Sequence, residues 1–209
     1  EADHAGVDTW YVADPLKPDQ KPAEQFYPRP GKKNVAVRLG IVPVEGGKTV
    51  WVDWDRNEFE YLTRFAWGRG TILLVLQSRD QKAIGIAYVD PDTGKLNIAY
   101  RNRTQDGWFS VPSEPLARGP RAEDKLFLMV GDHHTGEPSL LGHTPDGQVI
   151  TYCSASGLLG VDETDKLAYI TIPGDAPTEQ YVASIRITDR GSSNLFIWQD
   201  NSPGIHTAV

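Results

Sequence analysis

Glu60 to Tyr100, EYLTRFAWGRGTILLVLQSRDQKAIGIAYVDPDTGKLNIAY, reads as four short strands in succession, and no other stretch limits the fold so tightly. Each apolar run is rich in β-branched and aromatic residues, the side chains that fit a pleated and half-buried surface. Turn residues separate the runs at Gly68 to Gly70, Arg79 to Lys82 and Asp90 to Lys95. In the last of these, Pro91 presets φ, Asp92 can bond its own backbone and Gly94 tolerates a positive φ, so a hairpin closes there. The segment is therefore expected to be one four-stranded antiparallel unit.

Comparable turns recur along the chain. They stand at Glu45-Gly46-Gly47-Lys48, Asp92-Thr93-Gly94-Lys95 and Pro145-Asp146-Gly147-Gln148, so that Gly47, Gly94 and Gly147 are 47 and 53 residues apart. Propeller repeats run about 40 to 50 residues. The expected fold is all-β, a partial β-propeller of about three to four four-stranded antiparallel blades in a single domain over residues 1–209. A partial first blade occupies 1–56, broken by the Pro-rich excursion Pro15 to Pro30, and blades follow over 57–103, 104–155 and 156–209. The 104–155 blade is expected to use Trp108 to Ser110, Lys125 to Val130, Pro138 to Gly142 and Gln148 to Tyr152. The 156–209 blade is expected to use Gly157 to Val161, Lys166 to Ile172, Glu179 to Ile187 and Leu195 to Trp198. Closed propellers have about 4 to 8 blades, so this chain reads as an arc whose two end faces are uncovered. Uncovered sheet faces and edges invite pairing, and a homo-oligomer, or Pro15 to Pro30 folded back as a lid, is expected to cover them.

Composition agrees and excludes partners. At 209 residues the chain can bury roughly 70% of its unfolded surface as one domain. Its 15 Pro, 20 Gly and 6 Trp among short apolar runs suit an all-β architecture with many turns and little helix. The 28 acidic against 21 basic residues leave a net charge of −7, which disfavours a nucleic-acid partner because phosphate binding needs a basic surface. Ile72 to Leu76 is too short to span a bilayer, and residues 1–30 hold no apolar signal core, so no membrane insertion by this chain is expected and a soluble protein is. Cys153 is the sole cysteine, which rules out an intrachain disulfide. The first residue is Glu1 rather than Met, as in a processed protein or a piece of a longer one.

Four groups of residues carry a resemblance. Phe59-Glu60-Tyr61-Leu62-Thr63-Arg64-Phe65-Ala66-Trp67, Gln77-Ser78-Arg79-Asp80-Gln81 and Val89-Asp90-Pro91-Asp92-Thr93-Gly94-Lys95 form the first. Tyr27-Pro28-Arg29-Pro30-Gly31 through Val37-Arg38-Leu39-Gly40 is the second, Gly107-Trp108 with Pro112-Ser113-Glu114-Pro115 the third, and Leu159-Gly160-Val161-Asp162-Glu163 with Leu167-Ala168-Tyr169-Ile170 the fourth. In order and spacing, over roughly residues 25–190, they resemble the N-terminal β-propeller of the dipeptidyl peptidase IV family, in the prolyl-oligopeptidase group of serine peptidases. The resemblance implies a parent enzyme that cleaves after the second residue of peptides carrying Pro or Ala there, using a serine on a separate α/β-hydrolase domain. It implies no cofactor. It also places Trp108, Phe109 and Glu114 on a loop near the substrate cavity, although this loop is shorter than its family counterpart and lacks its arginine. The family's paired glutamates, which hold the substrate's amino group, precede the YPxxG segment and have no counterpart read here.

The residues themselves offer no catalytic centre. Ser154 and Ser156 lie in Tyr152-Cys153-Ser154-Ala155-Ser156-Gly157, with glycine on one side only, which is not a G-x-S-x-G elbow. Asp132-His133-His134-Thr135-Gly136-Glu137 gathers metal-ligating side chains, but adjacent strand residues point to opposite faces, so His133 and His134 read as a polar turn rather than a metal site. His143 adds little to them. Cys153 reads as a small hydrophobe. Trp51, Trp54, Tyr61, Phe65 and Trp67 read as packing between blades rather than a stacking platform. Asn102-Arg103-Thr104 is a glycosylation sequon, meaningful only in a secreted eukaryotic protein. Two functions follow from this reading: a non-catalytic propeller segment of a dipeptidyl peptidase IV-like exopeptidase that gates and binds peptides, or a free-standing propeller-like binding and assembly module without peptidase activity.

Overall fold

The computed structural model describes residues 1–68, 70–109, 111, 117–118, 127–132, 138–144, 146, 148–174, 176, 178–188 and 191–198. Among these residues every helical or extended element is a β-strand. The chain divides into two compact units, Glu1–Asp53 and Trp54–Val209.

Glu1–Asp53 is built from three two-stranded antiparallel ribbons. Its strands are β1 (Ala2–Asp3), β2 (Thr9–Val12), β3 (Ala23–Phe26), β4 (Ala36–Val37), β5 (Leu39–Ile41) and β6 (Val50–Val52), paired β1 with β4, β2 with β3 and β5 with β6. The Pro-rich stretch thus contributes a strand of its own, β3, which turns back on β2 with Thr9 opposite Phe26 and Val12 opposite Ala23.

Trp54–Val209 carries three four-stranded antiparallel sheets, each a simple meander. The first has β7 (Tyr61–Gly68), β8 (Thr71–Gln77), β9 (Ala83–Val89) and β10 (Leu96–Arg103). The second has β11 (Ala117–Arg118), β12 (Phe127–Asp132), β13 (Pro138–His143) and β14 (Val149–Ser154). The third has β15 (Gly157–Asp162), β16 (Leu167–Pro173), β17 (Gln180–Thr188) and β18 (Gly191–Trp198). This is a partial β-propeller of three blades, as the turn spacing predicts.

Sheet stacking supplies the core. β8 and β9 are buried along their whole length, so the first sheet is covered on both faces. Leu73, Val75, Ile84, Ile86 and Tyr88 on one face meet Phe127 and Leu141 of the second sheet. On the opposite face, the Phe59 ring lies so close to β9 that a Cβ on Gly85 would come within 3.0 Å of it. The second sheet turns its other face, Leu128, Val130 and Leu140, onto Leu158, Ala168, Ile170, Ala183, Ile185 and Ile187 of the third. Alternation along each strand therefore sends successive side chains into two different seams.

Two sequence expectations are corrected here. Trp108 and Phe109 form no strand, and the outermost strand of the second sheet is Ala117–Arg118. Phe109 is engaged elsewhere: its N–H donates to the Gln81 carbonyl (2.8 Å), which ties this segment to the first sheet. The aromatic cluster also splits. Trp54 is buried and its Nε1–H donates to the Phe59 carbonyl (3.0 Å). Phe65 and Trp67 are 63% and 62% exposed because β7 is an edge strand, and half-exposed Trp51 lies under the Arg38 guanidinium at 4.3 Å.

The turns between strands share one device. Asp90 Oδ1 accepts from the N–H groups of Asp92 (2.9 Å) and Thr93 (3.1 Å), and Asp162 Oδ1 accepts from Thr164 (2.7 Å) and Asp165 (3.1 Å). Four residues beyond each aspartate the backbone has positive φ, +71° at Gly94 and +58° at Lys166. Only glycine adopts that conformation without Cβ strain. Lys166→Gly is therefore expected to stabilise the protein by about 0.5–1 kcal/mol, read from the denaturant midpoint. A lower midpoint would show that strain at this turn is not a significant term.

Candidate functional site

The connection from Thr104 to Val111 leaves the first sheet and is strapped across the turn between β8 and β9. The Thr104 N–H donates to the Lys82 carbonyl (2.9 Å), and Lys82 Nζ donates to the Gln105 carbonyl (3.2 Å). Thr104 Oγ1 donates to the Asp106 carbonyl (2.7 Å), and Gly107 at φ +83° reverses the chain. The buried Gln77 then donates through Nε2 to the Phe109 carbonyl (2.7 Å). With its N–H already bonded to Gln81, Phe109 is held by both its backbone groups, and its ring packs with Val111 against the seam between the first two sheets.

That anchoring leaves Trp108 outside, 72% exposed. The two residues that the sequence groups together are thus divided by the structure. Phe109 is a peg in the core, and Trp108 is an indole on a backbone that cannot easily move. A rigid exposed aromatic loses little entropy when it stacks on a ligand. Glu114, His133 and His134 lie outside the described residues. Among the described residues no three His, Cys, Asp or Glu side chains gather in a way that could hold a metal ion.

The turn beneath the strap is electrostatically fixed. The Ser78 hydroxyl and the Lys82 N–H both donate to Asp80 Oδ1, and together with Arg103 they hold the Asp80 carboxyl below its ordinary range.

A second concave feature, which the sequence reading did not single out, lies within Glu1–Asp53. Asp8, Thr9, Trp10, Tyr11 and Arg29 line an open cleft of about 520 Å³. Arg29 donates to Asp8 through Nε (3.1 Å) and Nη2 (2.5 Å), which holds the Asp8 carboxyl below its ordinary range. The Trp10 and Tyr27 rings meet at 5.5 Å. The clue in the sequence was the pair Trp10-Tyr11 facing Phe26-Tyr27 across a hairpin, legible only once Pro15 to Pro30 is read as a turn and strand rather than an excursion.

With this geometry in hand, comparison with known proteins decides the family. The sequence matches the family described as the dipeptidyl peptidase IV (DPP IV) N-terminal region over residues 1–199. The chain belongs to that family. Its fold is similar to that of a structure from Bacteroides ovatus described as a dipeptidyl aminopeptidase IV, with a TM-score of 0.73 and 16% identity over 90% of this chain and 30% of that one. It is also similar to dipeptidyl peptidase 4 from Porphyromonas gingivalis, with a TM-score of 0.71 and 18% identity over 96% of this chain and 28% of that one. This dipeptidyl peptidase IV N-terminal region therefore spans less than a third of the length of either structure. At these identities the likeness establishes the fold.

Cys153 is half-buried against the seam between the second and third sheets, and burial pushes its thiol up to about 11. The thiolate is the reactive form. Alkylation of the native protein by a maleimide is expected to be slow at pH 7.5 and to accelerate only as pH approaches about 11, whereas the unfolded chain reacts readily. Rapid labelling of the native protein at pH 7.5 would contradict the burial.

Proposed function

We propose that this chain is the non-catalytic propeller part of a dipeptidyl peptidase IV-like serine exopeptidase. Its partner is an α/β-hydrolase domain that supplies the nucleophile, and its task is to restrict access to short peptides and to contribute an aromatic contact to them. Family membership supports the parent enzyme class, and the absence of a G-x-S-x-G elbow from the sequence supports a non-catalytic role. The observation that carries peptide contact is the strapped Trp108, an exposed indole on a backbone fixed at Thr104, Gly107 and Phe109. Indole fluorescence is expected to shift when the protein is titrated with short Xaa-Pro or Xaa-Ala peptides, and the shift is expected to disappear in Trp108→Ala. A wild-type signal unchanged at millimolar peptide, or one retained in the variant, would remove Trp108 from the peptide site.

The proposal extends to assembly as a homo-oligomer. β2 and β3 form an isolated ribbon exposed along both strands, and Trp10, Tyr11, Val12, Phe26 and Tyr27 present their apolar surface there. A two-stranded hairpin is at best marginally stable when nothing covers it, and clustered exposed aromatics mark contact surfaces. A second copy of this chain is the proposed cover. Light scattering is expected to report a dimer that Tyr11→Asp shifts toward monomer, and a wild type that stays monomeric at high micromolar concentration overturns this part of the reading.

A further inference from the structure

His143 ends β13 inside the seam between the first and second sheets, where it is only 4% exposed. Its register partners are Phe127 on β12 and Val149 on β14, neither of which carries charge. Across the seam, the Tyr100 ring of β10 meets the imidazole edge-on at 5.2 Å, and the Tyr88 hydroxyl of β9 donates to the His143 carbonyl (2.8 Å). The titratable groups facing it from packed elements are thus two phenols, with Asp146 on the turn that follows β13.

The surroundings favour neutral groups. Burial raises the Tyr88 hydroxyl far above its ordinary range, with a smaller push from Asp146, and burial raises Tyr100 despite the hydrogen bond from Asn102. Asp146 lies at the surface, where the Thr144 hydroxyl and the N–H groups of Asp146 and Gln148 hold its carboxylate, so its charge is solvated and engaged in its own turn. A cation placed among aromatic and aliphatic side chains loses its hydration, which costs several kcal/mol in real proteins.

We propose that His143 is a neutral latch between the first two blades, and that mildly acidic solution opens this seam by protonating it. The consequence reaches the exposed loop, because Phe109 and Val111, which anchor Trp108, pack into the same seam. Acid would thus loosen the platform that carries the indole. This inference stands whether or not Trp108 meets peptide.

The sign follows from proton counting. An imidazole in the unfolded chain takes up a proton below about pH 6.5, while the folded seam keeps His143 neutral, so the unfolded state binds more protons and stability falls as pH falls below that value. One such group multiplies the unfolding constant about tenfold for each pH unit. Denaturant unfolding of the protein at pH 6.5 and 5.5 is expected to give a rise in the unfolding constant about tenfold larger in wild type than in His143→Phe or His143→Gln. Equal rises in wild type and variants overturn the proposal. Should the Phe variant not fold, the polar Gln variant of similar size serves. The wild-type imidazole resonance, assigned by its loss in His143→Gln, gives a direct reading: no titration in the folded state down to pH 5.5 supports the latch, and titration near 6.5 overturns it.

Discussion

The central strands of the first sheet are apolar on both faces, and a sheet buried on both faces must have a neighbour on each side. Leu73, Val75 and Ile86 require the second sheet, while the face with Gly85 receives Phe59. The second sheet inherits the same demand through Leu128, Val130 and Leu140, which the third sheet meets with Ile170, Ala183 and Ile185. Stacking of meanders follows from this constraint, and so does the precision of register. A slip of one residue would exchange the contents of two seams rather than merely expose a face. Asx turns at Asp90 and Asp162 hold the hairpins against such a slip.

The polar residues that enter the seams have specific tasks. Gln77 is buried and spends its amide on the Phe109 carbonyl, which turns an inter-blade connection into a strap. Tyr88 gives its hydroxyl to the His143 backbone and links β9 to the end of β13. Because both act at the junction of the first and second sheets, the rigidity of the exposed indole and the integrity of that junction are one property. Any change that loosens the seam also frees the loop.

Residues 1–53 obey different physics. Their ribbons bury few apolar side chains and are decorated instead by exposed pairs: Arg29 with Asp8, Arg38 with Glu1, and Arg38 over Trp51. Exposed ion pairs are screened by solvent and contribute little, so the ribbon order there owes more to backbone pairing than to a core. Clusters of aromatic side chains on such ribbons are the surfaces from which water is most readily displaced.

How much was legible can be read from particular residues. The strands between Tyr61 and Arg103 were marked by β-branched runs and by Asp90-Pro91-Asp92-Thr93-Gly94, because both signals are local and the turn chemistry is dictated by backbone conformation. The repeat spacing carried the blade count for Trp54–Val209, and family motifs carried the rest. Local signals were silent on which aromatic residues reach a core: Trp54 and Trp51 look alike in sequence, yet one is buried and the other is half-exposed beneath an arginine. They also grouped Trp108 with Phe109, whereas two backbone hydrogen bonds to residues about thirty positions away pull one inward and leave the other in water. The sequence by itself therefore determined strands, turns and blade period, which depend on interactions between near neighbours. Tertiary structure alone decided the roles of Trp108 and His143, because burial and orientation are set by partners that only the stacking of sheets brings together.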